Sequence, residues 1–446
     1  MHFHTTPCLE VSAVITAHTI GMAVRADAST PNRRYTGPGT TVACRPGGLS
    51  WGAIVLKPSL QAVGQLLWPT PAVRGAAAQR ALRAPSDSPA DTPQPRPGRD
   101  NRIDTLRGLL LVIMTIDHLG GPLYAISYSP LGFVTAAEGF VFLSGYMFAL
   151  AYVLRAPDLH TLRRTSIRRA ALIYRYYIAA LALLVGLTWL LPRLGVYWHL
   201  GGTIHHPWVW NLLSFAMVNQ PAYFDILPMY VVFVLVTPFA VLGIRRGYAG
   251  LVVAASVGIW AIGSLLHPAG PLTALLAGDY RAGHFNLLCW QLLWMLGLLL
   301  GCYRDTVRRA LGRMPASAWL ALLVFLGALC LARHDLLSIG LSAQDSALDS
   351  TKMGWLRLFD TLGLLLLTAG LLRFVPRTAR VPWLDYLGRS SIQVFTFQVL
   401  LVYLDMGIGF RVEALGSPAL HVVYTLACVL TLTLPAFLHH RRRQRA

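Results

Sequence analysis

The sequence predicts an all-α, polytopic integral membrane protein with about ten transmembrane helices and both termini in the cytoplasm. Three observations carry this reading. The chain is 55% hydrophobic and only 13% charged, where a soluble protein of this size carries about a quarter charged residues. From about residue 105 onward, apolar runs of roughly 20 residues recur, the length that crosses the hydrocarbon core of a bilayer. The basic residues then alternate from loop to loop as the positive-inside rule requires.

Residues 1–100 stand apart. They hold 12 of the 27 prolines and no run long enough to span. "LEVSAVITAHTIGMAV" is apolar but contains His18 and lacks a basic leader, so it makes a poor signal peptide. "SDSPADTPQPRPGRD" reads as a disordered linker. We expect residues 1–100 to be a disordered extension, or sequence upstream of a start further along, and residues 101–446 to form the membrane domain. Its ten spans fall near 106–126, 132–154, 170–191, 223–243, 249–267, 284–303, 316–333, 355–374, 389–406 and 418–438. The shorter, more polar stretch at 205–220 reads as an interfacial or re-entrant piece.

With the N-terminus in the cytoplasm, the inside loops collect 23 basic residues and the outside loops six, namely Arg193, Arg281, Arg333, Lys352, Arg357 and Arg411. Adding or removing one helix scrambles this alternation. The net charge of +19 is thereby explained by topology, and no nucleic-acid partner is implied. The six cysteines (Cys8, Cys44, Cys289, Cys302, Cys330, Cys428) show no CxxC or metal-type spacing and read as helix-packing residues.

Polar residues inside spans are functional candidates by default, because a charge at membrane depth is costly. In "RGLLLVIMTIDHLGGPLY", Arg107 and His118 are 11 residues apart, within about 20° of a whole number of turns. Asp104, Arg107, Leu111, Thr115 and His118 therefore share one stripe, with a rise of about 16 Å from Arg107 to His118. Asp117 lies about 100° round the helix. Glu138, in "FVTAAEGFVFLSGYMFALAY", follows a tight connection and is expected to face His118 across an antiparallel hairpin. A His–carboxylate pair suits a general base, the carboxylate orienting the ring. Gly139 and Gly145 permit close backbone approach. Each feature also has a purely structural reading. A buried histidine can tie to a neighbouring backbone, and the pair can simply hold the hairpin together.

Further out, Asp225 in "FDILPMY" lies at the outer end of its helix, where it can meet a sugar, and Pro228 is expected to free a backbone carbonyl there. Tyr230 is a ligand or a belt residue. Trp208, in the aromatic and histidine-rich outer loop, offers a stacking face or belongs to an interfacial belt. No metal site is expected from His199, His205 and His206. Gln291 reads as an interhelical hydrogen bond. Ser390, Ser391, Gln393 and Gln398 make one helix unusually polar, as tunnel lining or as helix glue.

"RIDTLRGLLLVIMTIDHL…AAEGFVFLSGYMFALAY" resembles the opening of the OpgC protein family, whose named members succinylate osmoregulated periplasmic glucans. "DILPMYVVFVLVTP", "FNLLCWQLLWMLGLLLG" and "LGRSSIQVFTFQVLLVYL" fit the same family in order, so that the resemblance covers about 100–440. Arg107-x10-His118 and "EGFVFLSGY" are similar to the signatures of the wider membrane acyltransferase-3 group, which moves acyl chains from cytosolic acyl-CoA to sugars at the outer face. The resemblance implies an O-acyltransferase of the bacterial inner membrane. Succinyl-CoA would be co-substrate with no bound cofactor or metal, a periplasmic glucan the acceptor, and glucan-synthesis proteins the partners alongside the bilayer. His118 would be the general base, oriented by Glu138 and supported by Asp117. Arg107, Arg102, Arg168 and Arg169 would bind the donor, and Asp225, Tyr230 and Trp208 the acceptor. Leu288–Cys289 and Gln398 depart from the family's usual residues, which bears on substrate identity. A reading from a different class is a secondary transporter or permease with an Asp117/His118/Glu138 proton relay; no internal repeat between the two halves supports it.

Overall fold

The computed structural model describes residues 100–198, 200, 207–266, 283–337, 345–414 and 416–445. The extension expected over 1–100 lies, Asp100 apart, outside the described residues, as do His199, His205 and His206. The described residues form helices joined by turns. In order these are α1 (Asn101–Leu119), α2 (Tyr124–Ser127), α3 (Ala136–Phe148, continued by a π-helical turn, Ala149–Val153), α4 (Leu159–Leu190), α5 (Pro192–Trp198), α6 (Pro207–Phe215), α7 (Ile226–Arg245) and α8 (Ala249–Leu265). There follow α9 (Leu287–Cys302), α10 (Arg304–Gly312), α11 (Ala316–Arg333), α12 (Trp355–Leu371), α13 (Pro382–Arg389), α14 (Ser391–Ala414), α15 (Pro418–Thr431) and α16 (Thr433–Arg445).

Every stretch expected to span coincides with a helix, but the helices are not alike. Five are long and apolar enough to cross a membrane: α3 with its π turn, α4, α7, α11, and α15 running on into α16. The bent pairs α9–α10 (85°) and α13–α14 (90°) raise this to seven if each pair is one span. Helices α8 and α12 have 17 residues each, and α1 carries Arg102, Asp104, Arg107 and Asp117 within its 19 residues. The stretch at 205–220 contributes the nine-residue α6.

Local chemistry sets the helix ends that matter for the site. Asp100 caps α1 by accepting from the Arg102 amide, and Gly120, at φ 70°, stops it. Thr135 and Glu138 form a capping box at the start of α3. Asp158 caps α4 by accepting from the Thr161 amide at 2.6 Å, a bond that holds its carboxyl below the ordinary value. Asp225 caps α7. Pro228 falls in the first turn of α7, where an amide needs no partner, so the carbonyl expected to be freed there is not. Pro238 is the proline inside the helix, and it withdraws the amide that would bond Val234.

Helix α9 is apolar all round and mostly buried, as an element at the centre of a bundle must be. It crosses α3 backbone to backbone. A Cβ added at Gly145 would fall on the Trp294 carbonyl, and one at Gly297 on the Phe142 carbonyl. Gln291 ties α9 to α8, donating to the Ser256 carbonyl at 2.7 Å and accepting from its hydroxyl at 2.7 Å. Helices α1 and α13 meet the same way. A Cβ at Gly108 would fall on the Leu384 carbonyl oxygen, and one at Gly388 on that of Asp104. Gly108→Ala must therefore push α13 off α1, at an expected cost of about 1–3 kcal/mol. The measurement is the melting temperature of the detergent-purified protein. Gly186→Ala in α4, where no atom lies within 4 Å of the added methyl, should leave that temperature unlowered.

Candidate active site

The stripe on α1 is paired along its length by one face of α14. Arg107 donates through Nη2 to the Ser391 hydroxyl, and its Nη1 lies 3.9 Å from Asp104. At the far end of the stripe, His118 Nδ1 lies 3.1 Å from the Gln398 carboxamide nitrogen. Ser391 and Gln398 are seven residues apart, about two helical turns, so they share a face. Between the two polar ends Leu111 and Thr115 are fully buried, and the Thr115 hydroxyl donates to the Leu111 carbonyl at 2.7 Å. The His118 ring also meets Tyr223 edge-on, with centroids 4.8 Å apart.

Beside Arg107 a cavity of about 120 Å³ opens between α1, α3, α4, α7, α9 and α14. Arg107 and Arg169 are the charged residues of its lining, and Ser144, Tyr152, Tyr230 and Ser391 supply hydroxyls. The rest is apolar and largely aromatic. Phe140 stacks on Tyr230 (6.1 Å) and on Phe395 (6.0 Å), and Trp294 sits against Tyr230 (5.5 Å) and Phe148 (5.8 Å). The π turn matters here, because its wider winding sets Ala151 and Tyr152 into the cavity wall. Arg245 fixes the end of that turn by donating to the Ala156 carbonyl at 2.8 Å. The two guanidinium groups, that of Arg107 shared with the buried Asp104, offer hydrogen-bond donors to an anionic group beside an apolar wall.

Of the residues singled out in the sequence, Arg107, Arg169, Tyr230 and Ser391 come together at this cavity. Arg168 is exposed, one position round the helix. Arg102 is turned away: it pairs with Asp100 at 2.6 Å and donates to the Leu372 and Val375 carbonyls, which holds the start of α1 to the end of α12. Asp225 spends both oxygens on backbone amides, those of Ile226 (3.1 Å) and His284 (2.8 Å). Trp208 is exposed and lies against Trp189 at 4.8 Å, away from the cavity.

The expected His118–Glu138 pair does not form. Glu138 Oε2 accepts from the Thr135 amide (2.9 Å) and hydroxyl (2.6 Å), and Oε1 accepts from Arg357 Nε at 2.6 Å. The cause is local: third in its helix, the side chain curls back onto the N-terminal amides, and a buried guanidinium takes its other oxygen. Asp117 accepts from the Ser127 hydroxyl at 2.5 Å. The three members of the supposed proton relay thus have three separate sets of partners. Arg357, counted in the sequence among outer-loop arginines, is 4% exposed and lies one turn from the fully buried Asp360. Asp360 in turn accepts from the Phe133 amide at 2.8 Å. Among the described residues no group of three His, Cys, Asp or Glu side chains is placed to hold a metal ion.

A model of the OpgC protein family matches residues 99–444. No curated protein and no solved structure matches the chain.

Proposed function

The chain belongs to the OpgC protein family, and from that premise we propose that it is an integral-membrane O-acyltransferase. The acyl group, succinyl by family resemblance, passes from cytosolic acyl-CoA to a hydroxyl of an extracytoplasmic glycan such as a periplasmic glucan. The observation that carries this reading is the α1 stripe. It has an arginine-lined cavity at one end and a histidine about 16 Å further along at the other. The ten helices cross the inner membrane of a bacterium with both termini in the cytoplasm, which puts Arg107 on the donor side and His118 towards the acceptor. Residues 1–100 precede this domain as an extension.

Arg107 and Arg169 receive anionic groups of the donor in the cavity. The aromatic walls accept the pantetheine arm, and for the thioester to reach His118 the arm must part the side chains packed between the cavity and the ring, Leu111 among them. Water is excluded along this path by Leu111, Phe140 and Phe395, which strengthens every polar contact at the reacting atoms. His118 takes the proton of the sugar hydroxyl as that oxygen attacks the thioester carbon, and the proton leaves with the CoA thiol. The donor is a co-substrate, and no bound cofactor or metal is required. The glycan and the protein's neighbours in glucan synthesis meet the outer ends of the helices.

The test is purified protein in nanodiscs, given succinyl-CoA and a β-gluco-oligosaccharide, with ester formation followed by mass spectrometry. Proton-linked solute uptake by vesicles, without any ester, would instead establish the transporter. Arg107→Ala should raise the KM for succinyl-CoA by about tenfold or more, the value of one charge-assisted hydrogen bond. An unchanged KM would take Arg107 out of the donor site.

A further inference from the structure

The proposed base has a neutral partner, and that partner is itself only half used. Gln398 is fully buried, and one end of its carboxamide lies 3.1 Å from His118 Nδ1. The other end, buried as deeply, has no hydrogen-bond partner among the described residues. A buried, unpaired amide group costs about 1–3 kcal/mol, and an amide held this way in a native fold calls for a ligand or a function. Its backbone setting is firm. Val394, Val399 and Val402, on the same helix, are all buried, and Ser391, seven residues earlier, receives Arg107.

We infer that Gln398 is the second catalytic group of the site, fixing the tautomer of His118 through its oxygen and stabilising the tetrahedral oxyanion through its free NH2. The inference rests on the acyltransferase reading above. A base that takes a proton at Nε2 must carry one at Nδ1 and donate it. The carboxamide oxygen is the end of Gln398 that can accept it, and a half-turn of the terminal amide exchanges the two ends in place. The NH2 then occupies the unpartnered position, as a preorganised donor in a buried setting. When the sugar oxygen bonds to the thioester carbon, the carbonyl π pair moves to oxygen. The NH2 hydrogen-bonds that oxygen until the C–S bond breaks, the carbonyl re-forms and the thiolate takes the proton from His118. Side-chain amides serve this role because charge develops on the oxygen only in the transition state. A carboxylate partner in place of Gln398 would orient the histidine but repel the oxyanion.

That difference supplies the test. Gln398→Glu keeps an oxygen to accept from Nδ1 and removes the NH2. With succinyl-CoA and a β-gluco-oligosaccharide in nanodiscs, kcat should fall by about 10²–10³-fold, while the KM for succinyl-CoA stays unchanged. A group that only supported the fold would not separate kcat from KM in this way. Gln398→Met, apolar and of similar volume, covers the case in which a buried carboxylate prevents folding, and should lose at least as much. A folded Gln398→Glu or Gln398→Met protein with the wild-type kcat overturns the inference. If the wild type forms no ester, or if His118→Ala transfers at the full rate, the acyltransferase reading itself has failed. If His118→Ala is inactive and the Gln398 variants are not, only the role of Gln398 is lost.

Discussion

Arg357→Ala should destabilise the protein by about 3–5 kcal/mol, the cost of leaving a buried charge without its partner. Native proteins hold only about 5–15 kcal/mol in total, so this change alone should bring the protein close to unfolding. The Arg357 side chain is 5% exposed and that of Glu138 fully buried, 2.6 Å apart. With the guanidinium removed, Glu138 keeps Thr135 on one oxygen and faces apolar surroundings with the other. Asp360, fully buried one turn along α12, loses its nearest cation at the same stroke. The contact joins α3 to α12, and through a longer bond from Arg357 to the Leu348 carbonyl at 3.4 Å it also holds the loop before α12. The measurement is the yield and melting temperature of monodisperse detergent-purified protein. Arg357→Met with Glu138→Gln, which removes both charges, should recover most of the loss. A wild-type melting temperature for Arg357→Ala would show that the pair supports nothing. The exposed pair Arg304–Asp305, at 3.8 Å, makes the contrast: solvent already serves both groups, and little depends on it.

The stripe on α1 was legible because a helical period needs only the spacing of Arg107 and His118. The helix positions were legible because apolar runs and arginine loops mark them independently. The partners were not, because each lies far along the chain. Gln398 is 280 residues from His118 and Arg357 is 219 from Glu138. One signal was present and carried more than it was given. Thr135-x-x-Glu138 ahead of an apolar run is a capping box, and it places the Glu138 carboxylate at the helix start rather than across the hairpin. The depth of Arg357 had no such signal. A positive charge near a helix end satisfies the topology rule equally well in a loop or in the core. Arg102 and Asp225 show the same limit, since capping and cation binding at carbonyls draw on the residue types that a ligand site does. The arginines at 168 and 169 are alike in sequence, and only the 100° between them sends Arg169 to the cavity and Arg168 to the surface.

His118→Ala should lower the rate of acyl transfer by about 10²–10⁴-fold, the usual contribution of a positioned base, while leaving the fold intact. The sequence treats His118 and Glu138 as one unit, and the geometry separates them. His118 lies in the last turn of α1, part-exposed, with the Gln398 carboxamide at Nδ1 and the Tyr223 ring edge-on beside it. Glu138 is enclosed by Thr135 and Arg357 and acts through the fold. The two variants should consequently fail in different ways. His118→Ala should stay folded, with a melting temperature lowered by no more than the lost bond to Gln398, and should keep its KM for succinyl-CoA and lose kcat. Glu138→Gln should lose stability, and at a temperature where it remains folded should transfer at nearly the wild-type rate. Were Glu138→Gln instead to match His118→Ala in kcat while melting normally, the carboxylate would have to reach the histidine in the reacting state. That would require Arg357 to release it first. Full transfer by His118→Ala would move the chemistry off this stripe altogether, leaving the arginine-lined cavity as a site without its base.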